Sequence, residues 1–132
     1  MEANSHCYCG SETAYNDCCG RFLDGGQTTE TAEQLMRSRY TAYCRKRVDY
    51  LFDTTHPQAR ESRLRESIKE TADDCEWLSL TVLSTRQGQA NDKMGKVEFR
   101  AEYRYQGKQQ THHEHSRFRR FEGKWKYLDG EG

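Results

Sequence analysis

The sequence predicts an α+β domain with an antiparallel sheet, preceded by a short cysteine-rich element. Two observations carry this prediction. Apolar residues recur at three- and four-residue steps as far as Ala72, and from Glu76 onward they alternate with polar residues. The predicted helices therefore all precede the predicted strands, an order that favours α+β folds over repeated strand–helix–strand units. In addition, four of the six cysteines lie between Cys7 and Cys19.

The composition predicts a small hydrophobic core that needs additional stabilisation by a metal ion or by disulfides. Of the 132 residues, 33% are hydrophobic and 32% are charged, and only 17 are Leu, Ile, Val or Phe. Such a deficit alone is typical of disordered chains. However, the 21 basic and 21 acidic residues cancel, and the 15 aromatic side chains can each bury a large area. We therefore expect a folded, Tyr-rich domain stabilised by a metal ion or disulfides.

Several classes of protein are excluded at this stage. No stretch approaches the roughly 20 apolar residues of a membrane span, and the sequence from Met1 to His6 lacks the features of a signal peptide. We therefore expect a cytoplasmic protein, in which clustered cysteines are more often metal ligands than disulfides. The balanced charge gives no basis for a nucleic-acid or anionic-membrane partner.

The cysteines follow the pattern C-x-C, eight residues, C-C, formed by Cys7, Cys9, Cys18 and Cys19. Four thiolates are the complete ligand set of a closed tetrahedral zinc site, and we predict one structural Zn²⁺ per chain. Two disulfides or unpaired thiols are the plain alternatives, and a redox-active pair is a third. The last is disfavoured because redox centres usually separate their cysteines by two residues.

This cluster resembles the SEC-C motif, a small zinc-binding element of bacterial proteins that also ends the preprotein translocase ATPase. The resemblance rests on the four cysteines together with Gly10, Ser11 and Tyr15, whereas Tyr8 and Glu12 stand where Pro and Gly are common. It implies zinc binding over residues 1–26, and a protein-docking role, because the translocase element recruits a chaperone partner. The alternative is that the zinc-binding element only stabilises the fold.

The remaining chain predicts two helices and four strands. Thr31 and Gln34 have the form of a capping box, and apolar residues from Leu35 to Leu51 predict one amphipathic helix. A second, strongly charged helix passes through Arg60, Leu64, Ile68 and Ala72. The predicted strands, joined in the second half by tight turns at Gln106-Gly107 and Glu122-Gly123, are Trp77–Thr85, Val97–Tyr105, Gln109–Phe121 and Lys124–Leu128.

A wider resemblance covers nearly the whole chain. The sequence is similar to the YchJ-like bacterial proteins in the following segments: Leu35–Tyr43, Tyr50–Leu51, Thr55–Pro57, Trp77–Leu80, Val97–Ala101, Glu114–Phe118 and Gly123–Gly130. The resemblance implies that residues 27–132 form a domain of the nuclear-transport-factor-two-like (NTF2-like) fold, a cone of helices packed in a curved antiparallel sheet. That fold hosts isomerases and dehydratases as well as binding and scaffold domains, so it assigns no activity.

The third strand offers the candidate pocket residues. His112, Glu114, Ser116 and Phe118 share one face of this strand. If that face is buried, desolvation raises the pKa of Glu114, which could then act as a general acid or base. The favoured alternative is a buried ion pair of Glu114 with Arg37 or Arg39. We expect a pocket among Arg37, Arg39, Tyr40, Glu114, Ser116 and Phe118, with no assigned catalytic residue.

On the opposite face of this strand, His113 and His115 could chelate an ion together, but the sequence shows no third ligand and an exposed polar face is favoured. The function that the sequence favours is a zinc-binding adaptor that docks a protein through the cysteine element. The alternative is a small-molecule binder or enzyme that uses the pocket around Glu114. The sequence does not indicate an oligomeric state.

Overall fold

The computed structural model describes residues 6–131, and within them helices precede a single antiparallel sheet, which confirms the predicted α+β class. The helices are α1 (Gly20–Leu23), α2 (Ala32–Cys44), α3 (Val48–Asp53) and α4 (Leu64–Asp74). The strands, in the sheet order β1-β2-β3-β4, are β1 (Cys75–Gln87), β2 (Met94–Tyr105), β3 (Lys108–Phe121) and β4 (Lys124–Glu131). The segment Met1–Ser5, on which the absence of a signal peptide was predicted, lies outside the described residues.

The sheet curves around α2, which occupies the centre of the cone. Thr31 caps this helix as predicted, because its Oγ1 accepts a hydrogen bond from the Gln34 amide at 3.1 Å. The buried residues at this contact are Leu35, Met36 and Tyr40 from α2 and Leu80, Val97, Phe99, Ala101 and Phe118 from the sheet. No helix in residues 6–131 is both long and apolar enough to cross a membrane.

The hairpin between β1 and β2 fixes the start of α2 against the sheet. The Ala32 amide donates to the Gly88 carbonyl at 2.9 Å. Gly95 lies so close to this turn that a Cβ on it would stand 2.5 Å from the Gly88 Cα. The two glycines therefore allow backbone-to-backbone packing that no larger residue permits.

The prediction of one continuous helix to Leu51 is wrong, because the chain breaks after Cys44. Lys46 adopts a left-handed conformation with φ of 56°. The amides of Lys46 and Arg47 donate to the carbonyls of Tyr43 and Ala42 at 3.2 and 2.8 Å, which is the Schellman pattern of a helix end. Glycine usually occupies this left-handed position, and its presence in a sequence predicts a helix end. Lysine occupies it here, so the sequence did not predict the end of the helix.

The second predicted helix begins at Leu64 rather than near Arg60, after a 3₁₀ turn at Pro57–Ala59. Its buried Ile68 packs with Ala42 and Leu51, which closes the helical end of the cone. The segment before it is tied to β4. The Tyr127 amide donates to the Thr54 carbonyl at 2.7 Å, and the Tyr127 carbonyl accepts from the His56 amide at 2.8 Å.

The cysteine-rich element and the cone share one core. Cys7, Cys9, Cys18 and Cys19 belong to the same buried cluster as the residues between α2 and the sheet. The loop between α1 and α2 contains the predicted boundary between residues 1–26 and 27–132. The division into two domains stays a prediction.

Candidate metal centre and candidate ligand pocket

Two short segments bring four cysteine sulfurs together. Cys7 and Cys9 lie in the loop at the start of the described chain, and Cys18 and Cys19 lie between a 3₁₀ turn and α1. The Sγ atoms of Cys9 and Cys18 are 3.6 Å apart, and those of Cys18 and Cys19 are 4.0 Å apart. All four sulfurs are within 4.8 Å of one another, and none forms a disulfide.

These separations fit a metal ion at the centre of the four sulfurs. A tetrahedron with Zn–S bonds of about 2.3 Å places its sulfurs about 3.8 Å apart. Hydrogen bonds from Cys19 and then Cys9 lower the pKa of Cys7, whereas contact with Cys7 and Cys9, together with burial, raises the pKa of Cys19. Thiols this close cannot all ionise beside one another without a cation, and four ionised thiols are what a metal ion would stabilise.

The cluster rests on α2. The Cys7 Sγ lies 3.7 Å from the Thr41 Oγ1, and the Arg37 guanidinium donates to the Cys9 carbonyl at 2.8 Å. The side chains of Cys9 and Cys19 are 0% and 1% exposed. With no solvent access to these sulfurs, the cluster has the character of a closed structural site.

Tyr15 and Gly20 support the second cysteine pair. A Cβ on Gly20 would stand 2.8 Å from the Tyr15 carbonyl and 2.9 Å from its ring, so only glycine fits there. The Tyr15 hydroxyl donates to Asp24 at 2.7 Å, and burial together with that carboxylate raises the pKa of Tyr15 to about 12. Asp24 also pairs with Arg47 at 2.7 Å, which ties the element to the connection between α2 and α3.

A separate cavity of about 280 Å³ lies between α2 and the inner face of the sheet. Its walls are mainly aromatic, and Arg39 of α2 together with Glu114 and His112 of β3 supply charge. The aromatic lining residues are Tyr40, Tyr43, Trp77, Phe99, Tyr103 and Tyr127. The cavity is slightly smaller than the usual protein ligand site, which encloses about 300–1,000 Å³.

Three donors surround the carboxylate of Glu114. Tyr127 donates to its Oε2 at 3.0 Å, the Ser116 hydroxyl donates to the same oxygen at 2.5 Å, and the His112 Nε2 lies 2.9 Å from Oε1. Desolvation alone would raise the pKa of Glu114, but these hydrogen bonds and the charge of His112 outweigh it, so the pKa is lowered. The expectation of a raised pKa is therefore wrong, and the carboxyl is ionised at neutral pH.

The predicted ion pair between Glu114 and an arginine is also wrong. Arg37 points to the cysteine cluster and pairs with Glu33 at 2.9 Å. The buried Arg39 donates to the Leu51 carbonyl at 2.9 Å and to the Thr54 hydroxyl at 2.7 Å. Its guanidinium lies 4.6 Å from the centre of the Tyr127 ring, so this tyrosine stands between the cation and the carboxylate.

Of the six predicted pocket residues, the structure brings Arg39, Tyr40, Glu114 and Ser116 to the cavity wall. Arg37 and Phe118 do not line it. Sequence reasoning missed Tyr127 and Gly130 of β4. A Cβ on Gly130 would overlap the Glu114 carboxylate, so glycine provides the space that this group occupies. Gly130 lies two residues beyond the predicted fourth strand, Lys124–Leu128, so the strand pattern did not indicate its place beside Glu114.

The comparisons with known proteins agree with this architecture. Residues 31–130 match the family model of the YchJ middle NTF2-like domain. The solution structure of a SEC-C motif containing protein from Rhodopseudomonas palustris superposes with a TM-score of 0.84 at 36% identity, covering 96% of this chain and 98% of that one. A crystal structure of a SEC-C motif containing protein from Psychrobacter arcticus gives 0.79 at 26% identity, covering 96% and 82%.

Fold and cysteine pattern thus define an NTF2-like domain with a SEC-C-type element. A UPF0225 protein of Geobacter sulfurreducens is 41% identical over 126 residues, which are 96% of this chain and 78% of that protein. A UPF0225 protein of Streptomyces coelicolor is 42% identical, covering 95% of this chain and 94% of that protein. The chain belongs to the YchJ (UPF0225) family.

The pair of His112 and Glu114 predicts a stability contribution with a maximum in pH. Glu114 has a lowered pKa in the folded state, so its contribution is present above its ordinary pKa of 4.5 and is lost as the pH falls through the folded value. The hydrogen bond to Glu114 raises the pKa of His112. That contribution is complete below the ordinary pKa of 6.5 and is lost as the pH rises through the folded value.

Urea unfolding of the wild type and Glu114→Gln at about pH 3.5, 5.5 and 8.5 measures this effect. The wild type should exceed the variant most at the middle pH. His112→Gln should remove the alkaline decline and leave the acidic one. A difference between wild type and Glu114→Gln that stays constant over the three pH values would contradict the pairing.

Proposed function

We propose that the chain is a zinc-stabilised binding domain whose cavity takes a small, flat, apolar ligand carrying a cationic or hydrogen-bond-donating group. The observation that carries the proposal is the ionised Glu114 carboxylate at the wall of an aromatic cavity. Two cations share this site: His112 pairs with the carboxylate, and Arg39 lines the same cavity but is separated from Glu114 by the Tyr127 ring. The side of the carboxylate that faces the aromatic rings would attract a cation or a strong donor better than a neutral acceptor would.

The hydrogen-bonding capacity of the cavity supports this ligand class. The Glu114 carboxylate receives three donors, and its two oxygens can accept about four. The buried indole N–H of Trp77, a lining residue, has no hydrogen-bond partner among residues 6–131.

Binding suits the site better than acid–base catalysis. A lowered pKa makes the Glu114 carboxylate a weaker base, and it keeps the group from acting as a general acid near neutral pH. Tyr127, whose pKa is raised by burial and then by Glu114, stays protonated as a hydrogen-bond donor. We therefore assign Glu114 and Tyr127 to ligand recognition.

The zinc ion in this proposal is structural. Cys7, Cys9, Cys18 and Cys19 would hold it with all four positions filled, so it would stabilise the element without activating water. The assignment applies to a reducing compartment such as the cytoplasm, where clustered thiols stay free.

Titration with benzylamine tests the ligand class, with benzoate as the probe of opposite charge. Amide and ring resonances of Tyr103 and Tyr127 should shift with benzylamine and not with benzoate. Glu114→Gln should weaken benzylamine binding by at least about tenfold, because a hydrogen bond to a charged group is lost. The matched control is Glu102→Gln, a carboxylate on the outer face of the same sheet whose Oε2 accepts from Thr111 at 2.7 Å.

Trp77→Phe provides a second variant if Glu114→Gln folds poorly. It keeps the apolar wall and should leave selectivity for benzylamine over benzoate intact. Equal binding of the two probes by the wild type, or unchanged benzylamine affinity in folded Glu114→Gln, would contradict the proposed ligand class.

A protein-docking role of the cysteine element is the second candidate, and the exposure of Tyr8 favours it. Tyr8 stands between the buried Cys7 and Cys9, and its side chain is 37% exposed. Exposed tyrosines beside a rigid backbone are common anchors at protein interfaces. A partner would contact Tyr8 and the loop around it, since the cysteine sulfurs are out of reach.

Tyr8→Ser separates docking from metal binding. If the element docks a protein, affinity capture from bacterial lysate should lose a partner in Tyr8→Ser while the zinc content stays unchanged. Glu114→Gln should retain that partner. Identical capture profiles for wild type and folded Tyr8→Ser would contradict an adaptor role through this surface.

A further inference from the structure

The outer face of the sheet carries a second group of metal-ligating side chains, remote from the cysteine cluster. Glu98 of β2 lies directly opposite His115 of β3, and His113 is the next residue of β3 on the same face. The inner face of this part of β3 carries Glu114 and Ser116. The strand's alternation therefore separates the outer group from the cavity.

The potential ligand atoms converge on one carboxylate oxygen. The Glu98 Oε2 lies 2.7 Å from the His113 Nε2 and 3.5 Å from the His115 Nε2. The three ligand atoms all lie within 4.8 Å of one another, and the two imidazole rings are perpendicular, with centres 5.0 Å apart. Both rings thus direct the same nitrogen toward a common point.

A further contact orients the carboxylate. The Ser84 hydroxyl of β1 donates to the Glu98 Oε1 at 3.0 Å, which leaves Oε2 to face the histidines. Hydrogen bonds of this kind position metal-ligating carboxylates and strengthen binding. Two arginines on the neighbouring strand positions are paired elsewhere: Arg100 pairs with Glu102, and Arg117 pairs with Asp129.

The spacing matches first-row metal coordination. Ligand bonds of about 2.0–2.2 Å at tetrahedral or octahedral angles place neighbouring donor atoms about 2.9–3.5 Å apart. The 3.5 Å distance from Oε2 to the His115 Nε2 lies at the upper end of this range, and the 2.7 Å distance to the His113 Nε2 is shorter than the range. A small outward rotation of the His113 ring would open the contact enough to admit an ion. Two imidazoles with one carboxylate select Zn²⁺, Ni²⁺ or Cu²⁺ over Mg²⁺ and Ca²⁺, which require more oxygen ligands.

We propose that Glu98, His113 and His115 form a second site for a divalent transition-metal ion on the outer face of the sheet. Three protein ligands leave at least one coordination position open to water or to a ligand from another molecule. Partial exposure of all three side chains makes this an exchangeable site, in contrast with the buried cysteine cluster.

Zn²⁺ titration of the reduced, tag-free chain tests the proposal, with the cysteine cluster loaded first and a chromophoric chelator as competitor. The wild type should bind one further equivalent. Glu98→Gln and His115→Gln should each weaken it by at least about tenfold, and Ser84→Ala should weaken it less than either. Glu102→Gln is the matched control, because this carboxylate shares the strand and face of Glu98 but has no histidine partner, and it should bind as the wild type does.

Ni²⁺ supplies an independent readout that does not depend on substitutions. Paramagnetic broadening of amide resonances should centre on residues 98, 113 and 115. Absence of a further zinc equivalent, unchanged affinity in folded Glu98→Gln and His115→Gln, or broadening centred elsewhere would each overturn the site.

Discussion

The fold depends on the packing of the cysteine cluster against α2, because the four cysteines belong to the same buried core as the helix and the sheet. The chain has few aliphatic side chains to pack against the face of α2 that carries Arg37 and Thr41. The four cysteine side chains supply part of this packing. Cys7 contacts Thr41, and the carbonyl of Cys9 accepts from Arg37, so the cluster is packed directly on the helix that the sheet surrounds. Small polarizable thiols fit such a contact, but four of them are stable there as thiolates only around a cation. The proposed zinc ion is therefore part of the cone's core and does not merely organise an appendage.

The cavity lies against a different face of the same turns of α2, the face that carries Met36, Arg39, Tyr40 and Tyr43. The break at Lys46 turns the chain so that α3 and α4 close the helical side, and the connection through Thr54 and His56 fixes Tyr127 of β4 in place. Tyr127 then separates two buried charges: the Arg39 guanidinium lies over its ring, and its hydroxyl donates to Glu114. Each charge is satisfied by its own polar partners, which leaves Glu114 available at the cavity wall. A direct ion pair between Glu114 and an arginine would have neutralised this carboxylate.

Much of the architecture could be predicted from the sequence because it depends on patterns among residues that are close together in the chain. Alternation fixed the inward positions of Glu114 and Ser116, and the cysteine spacing identified the four sulfurs that the structure brings together. The sequence could not reveal contacts between distant segments. Gly130 and Tyr127 meet Glu114 only after β4 pairs with β3, and Glu98 joins the two histidines only through the register of β2. The number of hydrogen-bond donors around Glu114 decides whether its pKa is raised or lowered. The alternation of residues along a strand does not show how many donors there are.

The zinc content and thermal unfolding of the reduced chain, measured together, test the central claim most directly. The account predicts one zinc ion per chain and a fall of at least about 10 °C in Tm when a strong chelator removes it. Cys18→Ser should lose both the ion and the stability, whereas Cys44→Ser, which replaces a thiol outside the cluster, should keep the ion and respond to the chelator as the wild type does. A chain that folds with the same Tm without zinc, or that binds none when reduced, would contradict the claim that this cluster and its ion hold the fold together.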